Sequence, residues 1–284
     1  MVGIAEILHL QLPKSSKLTI LSCVGHKTRL FWILWVAGMA GVLSFLFVDV
    51  SALIAALPLP EREPVELPPP ALLKLLSVLQ PAVLLTLAVL VGVRLAERVG
   101  LHAPATEALA SGNGFLKNLR PQIVPGVITG VAAGIAILIT WIIAKPFLSG
   151  EFVTRVQEFN KFIPAAVRIL YGGFTEELLL RWGVMTFLVW LAWRLMQKGK
   201  GEPKPIYFNG AIIVSALIFG LGHLPIASAL AGELTVPIVI YVITGNSIFG
   251  IVAGFLYWKR GLEAAVIAHI FAHVVLITAI YFAL

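Results

Sequence analysis

Apolar runs of about twenty residues recur along this chain and restrict it to a fold that spans a lipid bilayer. The clearest runs are residues 30–48, 73–93 and 123–144, and each is long enough to cross the ~30 Å hydrocarbon core as a helix. Hydrophobic residues fill 59% of the 284 positions and charged residues only 12%, about half the charged share of a soluble domain. Backbone polar groups at that depth must bond within their own segment, so the runs predict α-helices.

The full pattern predicts an all-α polytopic membrane protein with about eight transmembrane or membrane-embedded helices around an intramembrane active-site cavity. The remaining predicted segments are 174–196, 208–222, 228–243, 248–258 and 262–284. Two of them, 228–243 and 248–258, are short for a full crossing, and Thr244-Gly245-Asn246 separates them. Residues 1–29 predict a short amphipathic lead-in, and the proline-rich loop at 57–70 predicts extended chain.

Two carboxylates and a guanidinium stand inside one of the apolar segments. They are Glu176, Glu177 and Arg181, and a charge at bilayer depth costs several kcal/mol, so such residues mark a functional site by default. Glu177 and Arg181 are four residues apart on a helix, which suits an ion pair. Glu176 points about 100° away and is free to face something else. A charge pair that only holds helices together is the alternative.

Three histidines lie in or beside the neighbouring apolar segments. His223 follows the segment 208–222, while His269 and His273 share one face of the last segment because they are four residues apart. Glu176 and His223 are expected toward the same side of the membrane. His269 can join them there only if the chain crosses the membrane an even number of times between residues 223 and 262, which the two short segments provide.

Taken in order, these residues resemble the motifs of a known protein family. Glu176-Glu177-x-x-x-Arg181, then Phe219-x-x-x-His223, then His269-x-x-x-His273 resemble the CAAX protease and bacteriocin-processing enzyme family of intramembrane glutamate proteases. The block Asn246-Ser247-Ile248-Phe249-Gly250 is similar to a further conserved block of that family. The resemblance covers about residues 120–284. The chain departs from the family at His273, where members usually have Asn or Asp.

The resemblance implies an intramembrane endopeptidase that hydrolyses a peptide bond with glutamate-activated water and needs no metal or other cofactor. The residues it implies to be catalytic are Glu176, His223, His269 and His273. Glu176 would be the general base and His223 would share the water, while the other two histidines would donate to the developing oxyanion.

Supporting roles are expected for four more residues. Glu177 paired with Arg181 would hold the helix and tune Glu176. Phe219 and Asn246 are candidates for indirect support, although a core aromatic and a helix break are the simpler interpretations of these two. The expected partners are membrane lipids and a membrane-anchored protein or peptide substrate, prenylated or not.

Two other functions fit the same residues. A zinc-dependent metalloprotease would use His223, His269, His273 and Glu176 as a four-ligand set, although the sequence His-Glu-x-x-His is absent. A non-catalytic membrane protein, such as a transporter, a scaffold or a bacteriocin self-immunity protein, would need the charges only for packing. Loss of activity with intact folding would separate an enzyme from this last class.

The chain divides into N-terminal spans and loops at 1–120 and a protease-like core at 121–284, within one membrane domain. Its net charge of +7 suits loops beside an anionic leaflet, and no basic run with interleaved aromatics predicts nucleic-acid binding. We expect a multi-pass protein of the cell membrane. Counting twelve Lys and Arg on the N-terminal side and eight on the motif side favours a cytosolic N-terminus. CAAX-processing relatives work on the cytosolic side, so the orientation stays open.

Overall fold

The structure is a computed structural model that describes residues 14–49 and 68–282. The described residues contain helices and no strands, so the predicted all-α class is confirmed. The predicted lead-in before Lys14 and the proline-rich loop up to residue 67 lie outside the described residues. The helices, in chain order, are α1 Lys14–Ser44, α2 Pro70–Leu95, α3 Pro104–Ala110, α4 Phe115–Ala144, α5 Gly150–Phe162, α6 Ala165–Met196, α7 Pro205–Gly222, α8 Leu224–Ala231, α9 Val236–Lys259 and α10 Leu262–Tyr281.

Seven stretches of the described residues are long and apolar enough to cross a membrane. They are α1 from Gly25 onward, α2, α4, α6, α7 together with α8, α9, and α10. The prediction of a polytopic helical membrane protein is therefore confirmed, with one span fewer than the expected count of about eight.

The difference lies in α9, which is one continuous helix of 24 residues. The prediction of two short segments separated at Thr244-Gly245-Asn246 is wrong. The Asn246 side chain does not interrupt the helix, because its amide donates to the Val242 carbonyl of the preceding turn at 2.8 Å. Gly250 lies against α7, where an added Cβ would stand 2.7 Å from the Cβ of Ala216. Close packing on α7 thus stabilises the helix on both sides of the presumed break.

The continuous α9 also removes the requirement for an even number of crossings. Because α6 begins at Ala165 rather than at residue 174, Glu176 lies roughly 15 Å along the helix, about half-way across the hydrocarbon core. His269 and His273 lie in the central turns of α10. Residues at mid-depth can meet whatever the direction of their helices, so the parity argument was wrong.

Two glycine-rich contacts bring the site helices together. Gly126, Gly130 and Gly134 of α4 face α10, and a Cβ at Gly134 would lie 2.8 Å from the Cβ of Val275. These small residues form a face on α4 that allows close packing against α10. On α6, a Cβ at Gly173 would lie 2.6 Å from Ile270 of α10. Around Gly173, α6 is π-helical from Arg168 to Glu176. This geometry is rare and is frequent at functional sites.

The two ends of the bundle differ. At one end of the bundle, α1 and α4 end and α6 and α9 begin. The amphipathic α5 lies at the same end, which is called the cavity face. The other end, where α2 finishes and α10 begins, is called the closed face. Pro164 separates α5, which ends at Phe162, from α6, which starts at Ala165.

Candidate active site

A cavity of about 760 Å³ occupies the half of the bundle toward the cavity face. Its wall includes Glu176, His223, His269, His273 and Asn246, so the structure brings together all four residues predicted to be catalytic. Such a volume lies within the range of ligand-binding clefts. The cavity is therefore large enough to receive a short stretch of polypeptide beside these side chains.

An ion pair lies behind the cavity wall. Glu177 Oε1 is 3.2 Å from Arg181 Nη1, and both side chains are fully buried, which confirms the ion pair predicted from their spacing. Arg181 also donates through Nη2 to the Gly250 carbonyl at 3.1 Å. Its guanidinium carbon stands 5.2 Å from the ring centre of Phe219 and 5.5 Å from that of Phe249. The charge is thus compensated by a carboxylate, a carbonyl and two aromatic faces.

Glu177 reaches a second partner that the sequence did not predict. Its Oε1 lies 2.8 Å from Nδ1 of His269. Since the same oxygen faces Arg181, we assign Glu177 as a carboxylate and the Nδ1–H of His269 as the donor, from the hydrogen-bond network. Nε2 of His269 then points toward Glu176, 3.7 Å from its Oε2. Glu177 therefore contacts and orients the imidazole of His269, and it does not act on Glu176 directly.

His273 is held by packing and leaves its polar atoms free. Its ring stacks on His269 with centres 4.9 Å apart and an interplanar angle of 9°. Among the described residues, neither of its buried ring nitrogens has a hydrogen-bond partner. Nε2 faces Gly172, where any Cβ would collide with the ring. Buried polar groups in native proteins nearly always have partners, so these two nitrogens need a partner that the described side chains do not supply.

His223 sits at the junction between α7 and α8. Its Nδ1 lies 2.8 Å from the Phe219 carbonyl and donates to it, so the other nitrogen is left as an acceptor. The Phe219 ring meets the His223 ring edge-on at 4.8 Å and the His269 ring at 6.0 Å. Phe219 thus spaces the two imidazoles and covers Arg181 at the same time.

The four proposed zinc ligands are not arranged as a metal site. In the part of the chain that the structure describes, no group of three or more His, Cys, Asp or Glu side chains could hold a metal ion. The rings of His269 and His273 are stacked parallel to each other rather than converging on a common point.

Several residues of the site were not predicted. Phe249 lies with its ring centre 4.1 Å from that of His269, and its place in the family-like block from Asn246 to Gly250 was the available signal. Arg168 lines the cavity and donates to the Asn160 side chain at 2.9 Å. In the N-terminal part of the chain, the Gly38 carbonyl of α1 accepts a hydrogen bond of 2.7 Å from Thr175 of α6. Helix α1 therefore also supports the helix that carries Glu176.

Residues 158–275 match the family model described as type II CAAX prenyl endopeptidase Rce1-like. This site-bearing segment is similar to the Rce1-like family. All the residues described above from Glu176 to His273 fall inside the Rce1-like segment, and the resemblance seen in the sequence is confirmed. No curated protein and no solved structure matches the chain.

The Rce1-like family supports a protease, a hydrolase, that lies in a lipid environment and acts on a membrane-associated substrate. The seven candidate spans agree with an integral, multi-pass membrane protein.

Glu177→Ala should sharply lower the stability of the folded protein. The change leaves the Arg181 charge buried without its carboxylate, and breaking a buried pair in this way typically costs ~3–5 kcal/mol. Thermal unfolding and the monodisperse yield in detergent measure the effect. Glu158→Ala is the matched control, because the Glu158–Lys161 pair is exposed and such pairs contribute little. Equal stability of the two variants would contradict the structural importance of the buried pair.

Proposed function

We propose that the chain is an intramembrane endopeptidase that hydrolyses a peptide bond of a membrane-associated substrate with water activated by Glu176. The observation that carries the proposal is the convergence of Glu176, His223 and the stacked pair His269 and His273 on one cavity at membrane mid-depth. Ionisable side chains at that depth are costly, and a purely structural role does not account for ring nitrogens of His273 that have no protein partner.

The protonation states follow from the hydrogen bonds. Because Nδ1–H of His269 donates to Glu177, Nε2 can donate only when the ring carries both protons. Nε2 and Oε2 of Glu176 are 3.7 Å apart, which is beyond direct hydrogen-bond distance, so in this proposal a bridging water passes the proton between them. With the proton on His269, Glu176 is a carboxylate base and His269 is an imidazolium donor.

The reaction then proceeds by direct attack of water. Glu176 takes one proton from a water molecule while the water oxygen bonds to the carbonyl carbon of the substrate. The carbonyl oxygen becomes an oxyanion and accepts hydrogen bonds from His269 and from an N–H of His273. Glu176 returns the proton to the amide nitrogen as the C–N bond breaks, which releases a carboxylic acid and an amine. His223, with its acceptor nitrogen toward the cavity, relays that proton.

The core of the enzyme in this proposal is residues 121–284, with α1 and α2 as its support. The hydrogen bond from Thr175 to Gly38 ties α1 to the residue next to Glu176. Trp182 of α6 packs against Gly92 of α2, where an added Cβ would strike its indole ring.

Glu176→Gln and His223→Ala should each abolish proteolysis without loss of folded protein. Each removes a proton acceptor from the cavity, and neither breaks the buried pair behind it. The measurement is quantitative proteomics of new peptide termini in membranes that contain the wild-type protein or a variant. Termini that require Glu176 define the substrate, and their rate of formation is then compared among variants.

Glu202→Gln is the control for Glu176→Gln, because Glu202 is an exposed carboxylate on the closed face. It should leave cleavage at the wild-type level. Wild-type cleavage by a well-folded Glu176→Gln protein would refute the role of Glu176 as base.

His273→Asn should keep most of the activity, whereas His273→Ala should lower it by roughly 10²–10³-fold. An asparagine amide retains an N–H donor on the face shared with His269, and alanine removes it. If His273 were a zinc ligand, both changes would be about equally damaging, since an amide is a poor ligand for zinc.

Treatment with a chelator provides an independent test of the same point. The proposal expects little effect, whereas a zinc enzyme would stop and would recover on zinc addition. An inactive His273→Asn protein together with stoichiometric zinc by elemental analysis would overturn the assignment of glutamate chemistry.

A further inference from the structure

The residues that line the cavity lie in the half of the bundle toward the cavity face. Residues along its outer part lie at helix ends on the cavity face, such as Phe45 after α1, Trp141 near the end of α4 and Lys161 on α5. Its floor is formed by the rings of Phe219 and Phe249.

Beneath that floor, toward the closed face, the interior is filled. Arg181, Trp182 and Tyr257 are among the largest fully buried side chains, and the Trp182 and Tyr257 ring centres are 6.3 Å apart. A polypeptide can therefore reach Glu176 from the cavity face but not from the closed face.

The continuous α9 decides on which face the turn between α9 and α10 lies. Since α9 begins at the cavity face and crosses once, its last residue Lys259 and the following Arg260 lie at the closed face. Two short segments in place of α9 would have put both cations on the cavity side. The topology therefore moves two positive charges across the membrane relative to the sequence-based count.

With this topology the basic residues flanking the spans are strongly asymmetric. Among the described residues, fourteen Lys and Arg lie on the closed face and five on the cavity face. The closed-face residues are four in each of 14–29, 94–120 and 194–204, and two at 259–260. The described cavity-face residues are Lys74 and four in 145–168. The connection between α8 and α9 on the cavity face contains Glu233 and no Lys or Arg.

Short loops rich in Lys and Arg stay on the cytosolic side of a membrane, where the leaflet is anionic. All of these loops are short, and their basic residues lie within about 20 residues of a span end, which is the range where the rule applies. The closed face is then cytosolic, and the cavity face is not.

We propose that the cavity opens to the non-cytosolic face of the membrane, and that the site takes the non-cytosolic part of a membrane-anchored polypeptide as its substrate. The cleavage part of this inference rests on the proposed function, whereas the orientation does not. Polypeptide ends held on the cytosolic leaflet, including lipid-modified ones, are excluded as substrates because the filled layer around Arg181 separates them from Glu176.

The orientation is tested by labelling single cysteines with a membrane-impermeant maleimide in intact spheroplasts of a bacterial host. Cys23 is the only native cysteine, so Cys23→Ser gives a cysteine-free background. Glu233→Cys places a thiol on the cavity face and Glu202→Cys on the closed face. Both positions are exposed, and both changes remove one carboxylate without altering the Lys and Arg count.

We expect Glu233→Cys to be labelled in intact spheroplasts as fully as after detergent treatment. Glu202→Cys should stay at background until detergent opens the membrane. The reverse pattern, or labelling of both cysteines before detergent, would overturn the inference. Repeating the labelling in the Glu176→Gln variant tests the orientation of the protein independently of cleavage, so the proposed orientation and the proposed function can fail separately. An inactive wild-type protein with the predicted labelling contradicts only the proposed function, and reversed labelling of a cleaving protein contradicts only the orientation.

Discussion

The buried ion pair between Glu177 and Arg181 is the interaction on which the rest of the site depends. Removing two charges from water at this depth costs several kcal/mol for each ion, and the attraction between them repays this only when the remaining polar atoms are also satisfied. Here the Gly250 carbonyl accepts from Nη2 of Arg181 and His269 donates to Oε1 of Glu177, whereas Glu177 Oε2 and Arg181 Nε have no hydrogen-bond partner among the described residues. The compensation of one pair therefore requires α6, α9 and α10 to meet at a single point.

The aromatic rings extend the same requirement to a fourth helix. Phe219 of α7 and Phe249 of α9 cover the guanidinium, and both rings also contact His269. Helices can come this close only where side chains are small, as at Gly173 against Ile270 and at Gly250 against Ala216. The charge pair, the rings and the glycines together hold the imidazole of His269 with one nitrogen toward Glu177 and the other toward Glu176.

Much of this site could be predicted from local sequence spacing. The pairing of Glu177 with Arg181, the shared face of His269 and His273, and the packing face at Gly130 all follow from helical periodicity. Those relations lie within a single helix, where the geometry is known in advance. The apolar runs also predicted the membrane fold, because few structures can satisfy backbone groups in lipid.

Relations between helices could not be predicted in the same way. The hydrogen bond from His269 to Glu177 joins residues 92 positions apart, and no periodicity reports it. The continuity of α9 was missed because Gly245 and Asn246 resemble a break in a single sequence, although Asn246 bonds within its own helix. That one error changed the number of crossings and the side of the membrane assigned to Lys259 and Arg260.

The central claim is that the buried pair orients His269 for chemistry and does not merely hold helices together. The most direct measurement is the cleavage rate of the double variant Glu177→Leu/Arg181→Met beside its thermal stability. Replacing both partners of a buried pair by apolar residues is often neutral for stability. We predict a folded protein of near wild-type stability whose cleavage rate falls by roughly 10²–10⁴-fold, because His269 loses the acceptor that sets its tautomer. Wild-type cleavage by that folded double variant would contradict the account.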